Sequence, residues 1–147
     1  MVLENLKSRT PFLVTLDSFG RAEDRGLLRV LEWTEMFPFD FRRIFLVSSV
    51  PEGVTRGDHA HHELLEILIC ISGSVEVTTD NGIYREKFCL NRPDQGLVIP
   101  PLVWTAQSKF SRHARLLVLC DQNYKESDYI TDYQEFLNLI KEPSSHG

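Results

Sequence analysis

The groups in this sequence best suited to proton-transfer chemistry are two histidines, His59 and His61, which stand two residues apart between Gly53 and Gly73. In an extended strand, alternate side chains point to the same face, so the two imidazoles are expected to share one cavity. The ordinary pKa of imidazole is near 6.5, so at neutral pH one ring can accept a proton while its neighbour donates one. The pair is therefore a candidate catalytic acid–base pair.

Such a pair suits the removal of a proton next to a carbonyl group. Positioned proton transfer of this kind contributes about 10²–10⁴-fold to a rate. The resulting enediolate requires a cation or a hydrogen-bond donor nearby, and Arg56, three residues before His59, is a candidate. From position alone, a surface salt bridge is an equally good interpretation of Arg56.

Two other interpretations of the histidines stay open. Glu66 follows His61 by five residues, and two imidazoles with one carboxylate would form a triad that suits non-haem iron, manganese or zinc. The sequence thus offers an alternative site for one divalent metal ion at His59, His61 and Glu66. His62 would point to the opposite face of a regular strand and is not recruited. The simplest interpretation is a solvent-exposed strand with two polar residues.

Short runs of β-branched and aromatic residues recur along most of the chain, separated by glycine and proline. Many short strands of this kind predict a sandwich or a barrel. Besides the histidine strand, the predicted strands cover residues 12–16, 27–33, 42–49, 66–72, 75–79, 83–90, 97–99, 103–110 and 114–120.

Two local signals are sharper. Asn81-Gly82 predicts a hairpin with a type I′ turn. The pattern Thr131-x-x-Gln134 resembles a capping box, and the apolar residues after it recur at helical spacing. We therefore predict a C-terminal helix over about 132–141, followed by a disordered tail over about 143–147.

The composition is that of an ordinary globular protein, and the 147 residues are expected to form one domain, 1–147. A net charge of −5 argues against a nucleic-acid partner. No apolar run has the length of a membrane span, and no secretory signal is evident at the N-terminus. The three cysteines Cys70, Cys89 and Cys120 lie in apolar runs and are expected to be buried thiols in the cytoplasm.

The pattern Gly53-x5-His59-x-His61-x4-Glu66-x6-Gly73 resembles the first signature motif of the cupin superfamily at every fixed position. This resemblance implies an all-β, cupin-type (jelly-roll) β-barrel with the short C-terminal helix packed on it. The segment that is similar to the second motif places Thr105 where metal-binding cupins usually have a histidine. A four-ligand metal site is therefore not expected, and a three-ligand site stays open.

From about residue 14 to 140 the chain also resembles the sugar 3,4-ketoisomerases that act on dTDP-4-keto-6-deoxyglucose. The similar segments are Arg25-Gly26, RG-x-HAH at 56–61, ISGSVEV with the DNG turn, LNRPDQGLVIPPLVW at 90–104 and ESDYITDYQEF at 126–136. The resemblance implies that His59 and His61 are the catalytic pair and that no cofactor is needed. The product would be a dTDP-3-keto-6-deoxyhexose, which an aminotransferase would convert to an amino sugar for a surface polysaccharide or an antibiotic.

The same resemblance implies a homodimer with exchanged N-terminal strands. It makes Arg25 and Arg56 the first candidates for sugar or pyrophosphate contacts, and it makes Trp104 a candidate for the cavity wall, with an ordinary core indole as the alternative. Glu66 stands where the family commonly has glutamine, and Thr105 where it often has histidine, so the substrate, the C4 epimer and metal binding stay open. The alternatives are a metal-dependent cupin enzyme and a non-catalytic sugar-binding cupin.

Overall fold

The computed structural model describes residues 2–21, 23–32, 34 and 39–141. In chain order these residues form helix α1 (Val2–Lys7) and strands β1 (Phe12–Thr15), β2 (Asp17–Phe19), β3 (Leu28–Val30), β4 (Arg43–Ser48), β5 (Arg56–His61), β6 (Glu66–Ser72), β7 (Val75–Asp80), β8 (Arg85–Leu90), β9 (Gln95–Ile99), β10 (Trp104–Ser108) and β11 (Arg115–Cys120). A 3₁₀ turn (Glu126–Asp128), strand β12 (Tyr129–Ile130) and helix α2 (Tyr133–Lys141) complete them.

Two five-stranded sheets form the body of the protein, with strand orders β1-β9-β6-β11-β4 and β12-β5-β10-β7-β8. Their facing sides bury one apolar cluster, to which Leu68 and Leu116 contribute from the first sheet and Val77 from the second. Alternate residues along each strand point into this layer because side chains alternate in a strand. The predicted all-β, jelly-roll class is confirmed, as two facing sheets that do not close into one continuous barrel.

The first sheet is also covered on its outer face, where Ile67, Ile69 and Val98 pack with Val2 and Leu6 of α1. Burial on both faces explains why β6 reads as an unbroken apolar run rather than an alternating one. Helix α1 was not predicted from the sequence, because its six residues are too few to show a helical period.

Helix α2 packs on the outer face of the second sheet through the fully buried Phe136. The predicted helix is confirmed, but its cap is not the predicted one. Asp132 is the N-cap, since its Oδ1 accepts the Glu135 N–H at 3.0 Å, so the cap lies one residue later than the predicted Thr131. The tail predicted over 143–147 lies outside the described residues.

The predicted hairpin is confirmed between β7 and β8, but the prediction of a type I′ turn is wrong. The last strand pair is Asp80 with Arg85, so the loop has four residues, and only Gly82 of the Asn81-Gly82 pair has a positive φ. The Asn81 side chain instead accepts the backbone N–H groups of Ile83 and Tyr84 at 2.9 and 2.8 Å, as asparagine commonly does in turns.

The prediction of three buried thiols is correct for Cys70 and Cys120 and wrong for Cys89, which is exposed. Cys89 lies on β8, the edge strand of the second sheet, and its side of the strand faces away from the core. No helix in the described part of the chain is long and apolar enough to cross a membrane.

Candidate active site

A cavity of about 300 Å³ lies between the two sheets, and both histidines of the HAH segment line it. Strands β4, β5, β6, β10, β11 and β12 all contribute to its wall. The lining residues are Arg43, Phe45, Val47, Arg56, Gly57, His59, His61, Leu64, Glu66, Gln107, Val118 and Tyr129. The sequence pattern therefore placed the two imidazoles correctly in one enclosed space.

A β-bulge brings Arg56 to the same side of β5 as the histidines. In a regular strand, residues three apart point to opposite faces. Against β10, however, Thr105 pairs with His59 and Ala106 pairs with Gly57, so Asp58 is an extra residue. Gly57 and Asp58 both have positive φ, 87° and 57°. The extra residue shifts the alternation by one, and Arg56 turns into the cavity.

The two imidazoles meet edge to face, with ring centroids 4.9 Å apart and an interplanar angle of 82°. His61 is almost fully buried, with 6% of its surface exposed, whereas His59 is half-buried and lies nearer the opening. Two rings this close can serve one bound molecule from adjacent positions.

Asp128 fixes the tautomer of His61. The Asp128 Oδ2 lies 3.2 Å from His61 Nδ1, and the carboxylate also accepts the backbone N–H groups of Glu63 and Leu64 at 2.8 and 3.3 Å. Because the carboxylate acts as an acceptor towards both backbone groups, the His61 Nδ1 is the donor in its bond to Asp128. The lone pair of His61 Nε2 is therefore left free to accept a proton.

Tyr129 packs against both histidines. Its ring centroid lies 4.5 Å from that of His61 and 5.0 Å from that of His59. Strand β12 holds it there, because Tyr129 pairs with His61 in the register of β12 on β5. The tyrosine thus restricts both imidazoles to their orientations.

Both imidazoles are neutral at pH 7. Burial lowers the pKa of His59 below its ordinary value. Burial and the neighbouring His59 lower the pKa of His61 to about 4, although Asp128 acts in the opposite direction. A neutral ring with a free lone pair is what a general base requires.

Glu66 is fully buried in the wall of the cavity, and burial raises its pKa to about 7, although the Arg43 guanidinium acts in the opposite direction. The carboxyl group is therefore partly protonated at neutral pH, and it can donate as well as accept a hydrogen bond. Arg43 itself lies against aromatic rings, with its guanidinium carbon 4.7 Å from the Phe45 centroid and 5.3 Å from that of Tyr124.

The alternative metal triad does not fit this geometry. Across the described residues, no three histidine, cysteine, aspartate or glutamate side chains converge so that they could hold a metal ion. Although His59, His61 and Glu66 line one cavity, they do not form such a group.

Two predicted site residues lie elsewhere. Arg25 is exposed in the turn between β2 and β3 and does not line the cavity. Trp104 points to the outer face of β10, where it packs on Tyr133 and Phe136 at centroid distances of 5.2 and 5.7 Å. Thr105 is buried on the inner face, and His62 is exposed, as predicted from strand alternation.

Several residues of the site could not be recognised from the sequence pattern. Asp128 and Tyr129 follow His61 by more than 65 residues. Only the pairing of β12 with β5 brings them to the histidines. Arg43 and Gln107 fall at ordinary inward positions of their strands. A charged residue on the buried side of an apolar strand was the available signal for Arg43.

Comparison with known proteins agrees with this arrangement. The family model FdtA (WxcM-like, C-terminal) matches residues 12–141. A curated relative from Aneurinibacillus thermoaerophilus, TDP-4-oxo-6-deoxy-alpha-D-glucose-3,4-oxoisomerase, is 33% identical over 118 residues, which are 80% of this chain and 85% of the relative.

Solved structures give the same result. A 3,4-ketoisomerase from Helicobacter canadensis is 36% identical, with a TM-score of 0.83 over 90% of this chain and 98% of its own. The ketoisomerase QdtA from Thermoanaerobacterium thermosaccharolyticum, in a histidine-to-asparagine mutant with TDP-4-keto-6-deoxyglucose, is 32% identical, with a TM-score of 0.84 over 89% and 94%.

Proposed function

Because this chain belongs to the FdtA (WxcM-like, C-terminal) family, we propose that it is a nucleotide-sugar 3,4-ketoisomerase that converts dTDP-4-keto-6-deoxyglucose to a dTDP-3-keto-6-deoxyhexose in deoxysugar biosynthesis. The observation that carries the proposal is the pair of neutral imidazoles in one cavity, with His61 fixed by Asp128. It agrees with relatives that are themselves ketoisomerases of TDP-linked sugars.

The reaction needs only proton transfers. One imidazole takes the proton from C3, the C–H electron pair becomes a C3–C4 double bond, and the carbonyl pair moves to O4. A proton then passes from O3 to O4. The imidazolium returns a proton to C4, which leaves a carbonyl at C3, a hydroxyl at C4 and two neutral rings. No oxidant, reductant or other reactant is consumed.

The Asp128 carboxylate supports the charged stage of this cycle. While His61 carries the extra proton, a carboxylate 3.2 Å from its Nδ1 stabilises the imidazolium. Burial acts in the opposite direction and holds the ring neutral before substrate binds. His61 and Asp128 therefore act together. The ring is neutral and ready to accept a proton, and the carboxylate lowers the free-energy cost of protonating it.

We assign Arg56 to the diphosphate of the substrate. Its side chain is exposed at the start of β5 and lines the cavity at the opening. In the strand register, Arg56 lies opposite Gln107 of β10. Guanidinium groups suit phosphate oxygens because of their planar fork of donors. We infer no cofactor for this reaction.

We also propose that the protein is a homodimer with exchanged N-terminal strands and acts in the cytoplasm. In support, apolar side chains are exposed on the β2–β3 hairpin (Phe19, Leu28) and on β4 (Ile44, Leu46), an edge strand of the first sheet. Such exposure is typical of surfaces that a partner covers. Light scattering after size-exclusion chromatography would give the mass of the assembly.

The deciding experiment is proton NMR of dTDP-4-keto-6-deoxyglucose incubated in D₂O with chelator-treated protein. We expect new 3-keto signals with deuterium at C4. A parallel reaction in H₂O, in which C4 carries a proton, will give the coupling that identifies the epimer. His59→Asn and His61→Asn should each lower turnover by about 10²–10⁴-fold. Binding without turnover by the wild type would support a sugar-binding cupin instead, and turnover only after metal addition would refute the metal-free reaction.

A further inference from the structure

Arg43 is a cation in the cavity wall that the reaction described above does not yet use. It shares the cavity with both histidines and Glu66. Its guanidinium lies over the rings of Phe45 and Tyr124, and none of the salt bridges in the described part of the chain involves it. The aromatic rings therefore fix the position of the guanidinium, and no described carboxylate takes up its charge in a salt bridge.

The charge of Arg43 is directed at the reacting region. Arg43 lines the same cavity as His61 and Glu66, and its charge acts to lower the pKa of both groups, although burial is the larger cause of each net shift. A molecule held within proton-transfer distance of His61 would therefore lie in the field of Arg43. Burial raises the pKa of Glu66 to about 7, so this carboxyl carries only part of a negative charge at pH 7 and offsets the positive charge of Arg43 incompletely.

The proposed reaction needs a cation at this place. When a neutral imidazole removes the C3 proton, negative charge develops on O4 of the sugar. A preorganised donor in a water-poor site stabilises such an oxyanion far better than water-exposed groups do. Arg56 is the other arginine of the cavity, but it is exposed at the opening, where water and salt weaken its field.

We propose that Arg43 stabilises the enediolate oxygen during the 3,4-isomerisation, with Phe45 and Tyr124 as the positioning residues that hold its guanidinium. This assignment rests on the proposed function. It gives the two arginines of the cavity different tasks: Arg43 contacts the reacting part of the sugar, and Arg56 contacts the diphosphate.

The first test compares Arg43→Met with Arg42→Met. Arg42 is the matched control because it is the adjacent residue, is exposed and lines a different cavity. Arg43→Met should lower kcat by about 10²–10³-fold, as the loss of one oxyanion donor does, and should slow the exchange of the C3 proton with D₂O to the same extent. Arg42→Met should keep both rates. Turnover by Arg43→Met within threefold of the wild type would overturn the assignment.

A second variant separates chemistry from structure. Arg43→Gly leaves space for a free guanidinium ion. Added guanidinium should therefore raise the activity of this variant at least tenfold, whereas ammonium should not. A purely structural role would give no selective rescue, and that result would overturn the proposal. An inactive wild type would instead refute the proposed function, so the two failures are distinguishable.

TDP affinity, measured by calorimetry, should fall in Arg56→Met and not in Arg43→Met.

Discussion

Replacement of Asp128 by asparagine tests whether the carboxylate acts through His61. The substitution keeps the shape of the side chain but removes the charge that faces Nδ1 at 3.2 Å. Hydrogen bonds to charged groups contribute about 1.5–3 kcal/mol, and 1.36 kcal/mol corresponds to a factor of ten in rate. Loss of the imidazolium's partner should therefore lower kcat by about 10–150-fold.

The tautomer adds to this effect. The asparagine has one oxygen, and the Glu63 N–H, which is 2.8 Å from Asp128 Oδ1, is its best-placed donor. The amide NH₂ would then face His61 Nδ1 and move the ring proton to Nε2, where the free lone pair is needed. Since Asp128 raises the pKa of His61, its removal should also move the acid limb of the kcat/KM profile to lower pH.

A matched control is available in Asp121. Its Oδ1 accepts the Leu65 N–H at 2.9 Å, in the same segment that Asp128 holds, but it does not line the cavity. Asp121→Asn and Asp128→Asn should both lower the melting temperature modestly, whereas only Asp128→Asn should slow the isomerisation, followed by NMR. The proposal that Asp128 acts through His61 would be refuted if Asp128→Asn kept kcat within threefold of the wild type. It would also be refuted if both variants lost activity equally.

Three further predictions concern stability and reactivity. Gly57→Ala should lower the free energy of unfolding in urea by about 1–3 kcal/mol, because the φ of Gly57 is 87° and the new Cβ would lie 3.0 Å from the Thr105 carbonyl oxygen. Gly53→Ala should lower it less, because Gly53 has a φ of 80° but open space around the new Cβ. Between pH 4.5 and 7, the free energy of unfolding of the wild type should fall by about 3 kcal/mol relative to that of Glu66→Gln. The reason is that the pKa of Glu66 is raised to about 7 in the folded state, so ionisation of this carboxyl destabilises the fold. Parallel curves of unfolding free energy against pH would refute this. In native protein one thiol, Cys89, should react with a thiol reagent and the two buried thiols should not; three reacting thiols would contradict the fold.

Much of the fold was predictable because its signals are local. The apolar run of β6 and the helical spacing before Lys141 each lie within one element, and both were placed to within a residue or two. Errors arose where neighbouring residues offered equivalent local chemistry. Asp132 rather than Thr131 caps α2, because both are good N-caps and only the exact start of the helix decides between them.

The candidate site depends on a different kind of information. The spacing of His59 and His61 predicts that two imidazoles share a face, but it cannot predict the acid–base character of either. Those properties come from Asp128 and Tyr129, which reach the histidines through the two-residue pairing of β12 with β5. A pairing this short leaves no periodic pattern in the sequence.

The bulge in β5 shows how closely position and chemistry are connected here. Without the extra residue at Asp58, Arg56 would face away from the cavity, and the site would lose a cation at its opening. Gly57 makes the bulge possible, since it has positive φ and no Cβ to approach the β10 backbone. The segment RGDHAH is therefore a unit in which the glycine directs the arginine and the strand alternation directs the histidines. A substitution at Gly57 should weaken diphosphate binding even where both histidines are intact, and a comparison of TDP affinity in Gly57→Ala and Gly53→Ala would measure that effect.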